Sequence, residues 1–447
     1  MKPTSLLIII VLLVPGLAGA QSKPWTFRQC LDTALQRNIS VNQSRMSYEL
    51  NKINLEQVKA NRIPNISANA NEALNFGKNV DPTTNSFVTE GYHSTNFGLN
   101  SSYNLFNGLQ NANTIRQNTL YMQAGLYDIE KAKNDVILNI TTGYLQVLFA
   151  NEILAAAKNQ EDATAVQVGR TEKLVSAGKS PESDLLQIKS QLATDNLSVI
   201  TATNQVDLAK VTLMQLMDIP ISDDFKVEVP VMDEPAADLL QTNTEIYLKS
   251  LTVQPQITSA SLRTTASMMA LKISQGAQWP RISLGANLNS NYASSRKKGN
   301  FVNPEGYPFV QQVWDNIGQS FSMGISIPIY SNRQIRSNID RAKINLITSQ
   351  LNEQNVKNVL RKSVEQTYSD ARASVKKYEA SKQQFAAVES VFRNAETKFA
   401  VGVMSATEFM IQKNNYTQSQ SNLIQSKFDY IFKRKILDFY QGKPITF

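Results

Sequence analysis

The amino-acid sequence predicts an α+β membrane protein built twice over, with four barrel strands and two long helical hairpins per chain. Three observations predict it. The sequence repeats at a spacing of 224 residues, four segments alternate apolar and polar side chains, and two stretches of 69 residues, 109–177 and 333–401, contain no proline. In the repeat, Asn96-Phe97-Gly98-Leu99 falls on Ser320-Phe321-Ser322-Met323, Tyr144 on Tyr368, Gly178 on Gly402, and Ile219-Pro220-Ile221 on Lys443-Pro444-Ile445. One register holds from about residue 94 to 221. A duplicated unit mixing strands with very long helices points to a membrane-spanning conduit rather than a globular domain.

The chain opens Met1-Lys2, runs apolar from Leu6 to Val14, breaks at Pro15-Gly16 and reaches Ala18-Gly19-Ala20. A charged start, a short apolar run and small residues predict a secretory signal peptide over 1–20. No later run reaches the roughly 18 apolar residues of a transmembrane helix. Cys30 is the one cysteine, which excludes an internal disulfide. The formal charge of +8 is spread along helices without a basic stripe, so no nucleic-acid partner is expected. His93 is the one histidine, placed by this reading in an outer loop, and no phosphate-binding glycine loop occurs. No catalytic, cofactor or metal site is expected, and the chain does not read as an enzyme.

The strands are expected at about 64–77, 94–107, 280–293 and 318–331. In the first, Ile66, Ala68, Ala70, Leu74 and Phe76 share one face and Ser67, Asn69, Asn71 and Asn75 the other. Phe97, Leu99, Tyr103 and Leu105 oppose Asn96, Asn100, Ser102 and Asn104 in the second. Ile282, Leu284, Ala286 and Leu288 oppose Ser283, Asn287 and Asn289 in the third, and Phe321 to Ile329 continue the alternation in the fourth. An apolar face opposite small polar groups suits a wall between lipid and water. Four strands cannot close a barrel, and open edges in hydrocarbon cost several kcal/mol per unsatisfied backbone group. Strands must be pooled between chains. The small polar lumen side chains indicate a wet interior, hence three chains and twelve strands rather than eight.

The 69-residue stretches would each run roughly 100 Å as helices. Each turns back at a glycine tip, about 177–184 and 401–408, into a helix with an apolar heptad. Leu185, Leu192, Val199, Val206 and Leu213 carry the first, and Phe409, Tyr416, Leu423, Tyr430 and Leu437 the second. Phe385, Val388, Phe392, Ala395 and Phe399 follow the 3-4 spacing on an outgoing helix. Shorter helices are expected at about 26–61 and 245–277, ending before Pro64 and Pro280. Loops are expected at 78–93 and 293–319, and a belt at 222–244. The mature chain, 21–447, thus divides into a first repeat of about 25–221, the belt, and a second repeat of about 245–447.

This order resembles the TolC-type outer-membrane efflux duct family. The opening Trp25-Thr26-Phe27-Arg28-Gln29-Cys30-Leu31-Asp32-Thr33-Ala34-Leu35, the prolines 64 and 280 and the glycine tips carry the likeness. The resemblance implies a homotrimer with a 12-stranded outer-membrane barrel continuous with a periplasmic α-helical coiled-coil barrel. It further implies a periplasmic adaptor meeting the tips at Gly178 and Gly402, and an inner-membrane pump of RND or ABC type behind it. Asp184 and Glu408 match acidic positions of the family's closed tip, whereas Met404 stands for a partner arginine, Phe399 for a tyrosine and Ile411 for a second aspartate. A gate formed by Asp184, Glu408, Phe399 and Met404, more apolar than ionic, is the expectation. Ser405-Ala406-Thr407-Glu408 also fits a capping box, so capping alone and capping plus a lumen role both stand. Small-molecule efflux, type I protein or peptide secretion, and a non-pore coiled-coil scaffold remain distinct readings.

Overall fold

Thr26 starts the first helix by accepting from the Gln29 amide while the Gln29 side chain accepts from the Thr26 amide. The computed structural model describes residues 24–80, 85–230, 242–298 and 305–447; the expected signal peptide and residues 231–241 of the expected belt lie outside them. From Thr26 the chain forms α1 (Phe27–Arg37) and α2 (Ile39–Ala60), then β1 (Asn65–Val80) and β2 (Phe87–Asn107). There follow α3 (Gln110–Ser176) and α4 (Glu182–Leu216), then α5 (Asn243–Val253), α6 (Pro255–Gly276) and β3 (Arg281–Ala293). A two-residue ribbon β4 (Lys297–Lys298) and β5 (Glu305–Gly306), α7 (Phe309–Asp315), β6 (Gly318–Ser326), α8 (Gln334–Ala400) and α9 (Ala406–Tyr440) complete the order.

The repeat has two registers. Both hairpins recur at an offset of 224 at every boundary, α3 on α8 and α4 on α9. The helices before them recur at 216, α1 on α5 and α2 on α6, as does the start of β1 on that of β3. The eight-residue difference falls in the second strand-to-strand connection, where β4, β5 and α7 lie. Left-handed backbone repeats too: Gly108 and Leu109 match Asn332 and Arg333 where strand passes to helix, and Asp218 matches Gly442.

Several boundaries differ from expectation. The stretches 26–61 and 245–277 are each two helices, broken at Asn38 and Gln254. Gln254 precedes Pro255 and is extended, as a residue before proline must be. Asn38 is held open by its side chain, which donates to the Leu216 carbonyl at 3.4 Å. Most of the expected loop 78–93 is strand, because the β1–β2 ladder runs to Val80 opposite Phe87. His93 therefore sits in β2 rather than in a loop. Its Nδ1 lies 3.2 Å from Glu72 Oε1, and Thr95 donates to Glu72 Oε2 at 2.7 Å. The strand expected at 318–331 stops at Ser326, two residues before Pro328, which has no N–H for a ladder.

Two units divide the chain. One comprises residues to Ile39, Lys133–Ile246 and Val364–Phe447; the other comprises Ser40–Ala132 and Tyr247–Ser363. In the second unit the antiparallel sheet runs β1-β2-β3-β6, leaving β1 and β6 as edges. Register sorts its faces: Ser67, Asn100, Asn287 and Ser320 form one row, and Tyr103, Leu284 and Met323 another of opposite parity. Asn100 donates to Asn69 at 3.0 Å on the polar face. Many apolar side chains stay uncovered, with Ile66 at 72% and Phe321 at 85% exposure. No helix among the described residues is long and apolar enough to cross a membrane.

In the first unit Phe27, Tyr144 and Phe447 form an aromatic cluster, and Cys30 on α1 is buried. Burial pushes the Cys30 thiol up to about 12, so it stays protonated and inert. The Tyr144 hydroxyl donates to the Glu228 carbonyl at 2.6 Å, and Glu228 N–H donates to the Trp25 carbonyl at 2.9 Å. These bonds tie the described start of the 222–244 segment to Trp25, just ahead of α1, and to α3.

Candidate gate and docking tips

Both tips lie in the helical unit and are built alike. Gly178 (φ 68) and Gly402 (φ 78) follow helices α3 and α8 by two residues. Gly178 N–H donates to Val175 O at 2.9 Å and Lys179 N–H to Leu174 O at 2.8 Å. Gly402 and Val403 repeat this toward Phe399 and Lys398 at 3.1 and 3.0 Å. These are the paired bonds of a Schellman end, which needs a left-handed residue at the glycine position. A Cβ at either glycine would meet nothing within 4 Å, so φ alone demands glycine. Val401 and Val403 beside Gly402 are exposed.

The returning helices start differently. Helix α9 has a complete capping box: Glu408 N–H donates to Ser405 Oγ at 3.3 Å, and Ser405 N–H donates to Glu408 Oε2 at 3.1 Å. The Ser405 backbone donor, then its hydroxyl, hold the exposed Glu408 carboxyl below the usual carboxylate range. Helix α4 begins after Pro181 without a side-chain cap, and the part-exposed Asp184 accepts from Ser180 Oγ at 2.9 Å. Across the hairpins, Arg170 donates to the last α8 carbonyl, Ala400, at 3.1 Å, and Gln187 contacts Thr407 at 3.3 Å.

Phe399 lies in a helix seam of the single chain. It is buried in the hairpin, stacked on Phe409 with ring centroids 4.7 Å apart and planes 10° apart. Phe392 and Tyr416 continue the stack at 4.7 Å, and part-buried Met404 rests on the same core. The cause is the seam noted in the sequence. A residue spaced 3-4 with Phe392 and Ala395 must face the partner helix. Of the four expected gate residues, Glu408 is exposed in the single chain, Asp184 and Met404 are part-buried, and Phe399 is buried.

Sequence reading missed a buried ionic cluster above the tips. Lys413 on α9 donates to Asp195 Oδ2 on α4 at 2.6 Å, with side chains 4% and 7% exposed. Lys413 also donates to the Thr164 hydroxyl of α3, which donates to Asp195 Oδ2 at 2.5 Å, and Gln191 donates to Oδ1 at 2.8 Å. Burial lowers the Lys413 pKa, while the Asp195 hydrogen bond and charge oppose that shift. The signal was present: Asp195 interrupts the 3-4 seam Ile188, Leu192, Asp195, Val199, and Lys413 interrupts Ala406, Phe409, Lys413, Tyr416. A polar pair inside such a seam specifies register at a cost in stability.

The sequence profile of the outer membrane efflux protein family matches residues 30–218 and 247–437. Outer membrane efflux protein BepC of Brucella suis biovar 1 (strain 1330) is 21% identical over 434 residues, covering 95% of this chain and 87% of that protein. Outer membrane protein TolC of Escherichia coli (strain K12) is 20% identical over 372 residues, covering 75% and 72%. The solved outer membrane protein VceC of Vibrio cholerae superposes with a TM-score of 0.77 at 14% identity, covering 94% of this chain and 97% of that one. With a match over both repeats, the duplicated strand-and-hairpin fold and an uncovered apolar sheet face, the chain belongs to the outer membrane efflux protein family, whose members are export conduits of the outer membrane.

Proposed function

We propose that three copies of this chain form the exit duct of a tripartite export system, a passive channel closed at its helical tips until an adaptor docks. The carrying observation is that the sheet has two unpaired edges, β1 and β6, and an apolar face open to solvent in one chain. Hydrocarbon tolerates such strands only in a closed barrel. Exposed helical seams add support. Met46, Leu50 and Ile53 on α2, and Ile344, Ile347 and Leu351 on α8, have the 3-4 spacing of helices awaiting a partner. Native mass spectrometry in mild detergent is expected to give trimers; monomers or dimers would refute the assembly.

In this reading Gly178 and Gly402 hold the turns that meet the periplasmic adaptor, which couples the duct to an inner-membrane pump. A valine at either glycine strains the turn by about 1–3 kcal/mol without a clash. Gly402→Val should leave trimers intact yet lose adaptor cross-linking and confer antibiotic sensitivity. Normal cross-linking in that trimer would remove Gly402 from the docking surface.

Threefold symmetry would gather three copies each of Asp184 and Glu408 at the closed tip. Like carboxylates attract cations and repel one another. Glutamine keeps the capping position of Glu408 but removes its charge. Glu408→Gln channels in planar bilayers should therefore stay mostly shut and lose cation preference. Full retention of cation selectivity would leave Glu408 a helix cap and nothing more.

A further inference from the structure

Helix α7, in the longer strand-to-strand connection, does not extend away from the sheet. Phe309 sits against Phe97 and Tyr292, with ring centroids 6.2 and 4.9 Å away. Gln312 is fully buried and clamps the β3 backbone, accepting from Ala293 N–H at 3.0 Å and donating to Ala293 O at 3.1 Å. Ser290 donates to the Val313 carbonyl at 2.6 Å. Phe97, Ser290 and Tyr292 have the parity of Leu99 and Leu288 in the ladder, so α7 lies on the apolar face, outside the polar row.

Register also sets its height. Along that face of β2 the side chains run Tyr103, Ser101, Leu99 and Phe97, then become Thr95 and His93, with Glu72 beside them. The helix touches the wall at this band of hydroxyl and ionisable side chains, beyond which β1 adds exposed Leu74 and Phe76. That is the position of a lipid–water boundary on a membrane strand. Its outer side exposes Val310 at 64% and Trp314 at 70%, while Asp315 accepts from the Tyr307 hydroxyl at 2.8 Å and lies 4.0 Å from Lys298. An apolar flank with tryptophan, below a charged and hydroxyl-bearing one, has the chemistry of an interfacial anchor.

We propose that α7 is a lipid-docking element, lying in the outer-leaflet interface with Val310 and Trp314 inserted among lipid chains. The occupant is the lipid surface itself, because the exposed flank of α7 continues the lipid-facing wall on which the helix rests. Three such helices would fix the depth and tilt of the barrel from outside. The inference rests on the assignment of the apolar sheet face to lipid.

The test uses the full-length trimer in lipid nanodiscs, with Cys30→Ala and single nitroxide-labelled cysteines at Val310, Trp314, the wall position Leu288 and the lumen position Asn287. Power-saturation EPR with oxygen and nickel-EDDA reads depth at each site. Labels at Val310 and Trp314 should favour oxygen over nickel-EDDA, reading shallower than Leu288. Preference for nickel-EDDA would place α7 in water, and low access to both reagents would place it against a neighbouring chain; either overturns the proposal. A Leu288 label that reads as aqueous would instead defeat the wall assignment.

Discussion

Lys413→Ala is expected to destabilise the helical unit by about 3–5 kcal/mol per chain, the usual cost of leaving one member of a buried ion pair alone. Asp195 would remain within the seam with the Thr164 hydroxyl and the Gln191 amide as donors and no compensating charge. The pair joins α9 to α4 and, through Thr164, to α3, so its loss removes a polar tie between the returning helix of one hairpin and both helices of the other. Thermal unfolding followed by helical circular dichroism, with amide exchange along α9, measures the effect. The double replacement Lys413→Met with Asp195→Leu removes both charges and keeps comparable volumes. It should recover most of the loss, since apolar substitutes for buried pairs are often neutral or better. A Lys413→Ala protein that melts like the parent would show that water relaxes the cluster and that it does not hold the hairpins together.

Leu284→Arg should impair barrel assembly by about 2–4 kcal/mol per chain near the bilayer midplane, and less near an interface. Leu284 sits opposite Tyr103 and Met323 in the apolar row, with no acidic group across either ladder position. Asn287, three residues on, lies on the other face between Asn100 and Ser320. Asn287→Arg should assemble normally, because its side chain reaches the polar row. Yield of heat-resistant trimer from outer membranes compares the two directly. Equal tolerance of both changes would overturn the face assignment on which the barrel depends.

The gate illustrates how far heptads alone can be read. By resemblance Phe399 stands where the family has a tyrosine at the closed tip, while its 3-4 spacing with Phe392 and Ala395 places it in a helix seam. The structure follows the spacing and stacks it on Phe409. The same seams held Asp195 and Lys413, unremarked because a heptad register lists apolar positions and passes over the polar exceptions.

What the amino-acid sequence determined by itself is the local and periodic part of this protein. Alternation of period two marked the four strands and sorted their faces, and long proline-free stretches marked the hairpins. Two glycines, free to take positive φ, marked where the outgoing helices end. Each of these depends on residues close in the chain, so spacing suffices. Tertiary structure decided which seam meets which. Lys413 finds Asp195 across 218 residues and Thr164 across 249. It also decided that α7 folds back onto the apolar face and that His93 pairs with Glu72 inside a strand. Periodicity states that a helix or strand has an apolar side; it carries no term for the partner that covers it, because that choice is made by packing and charge pairing between segments far apart in the chain.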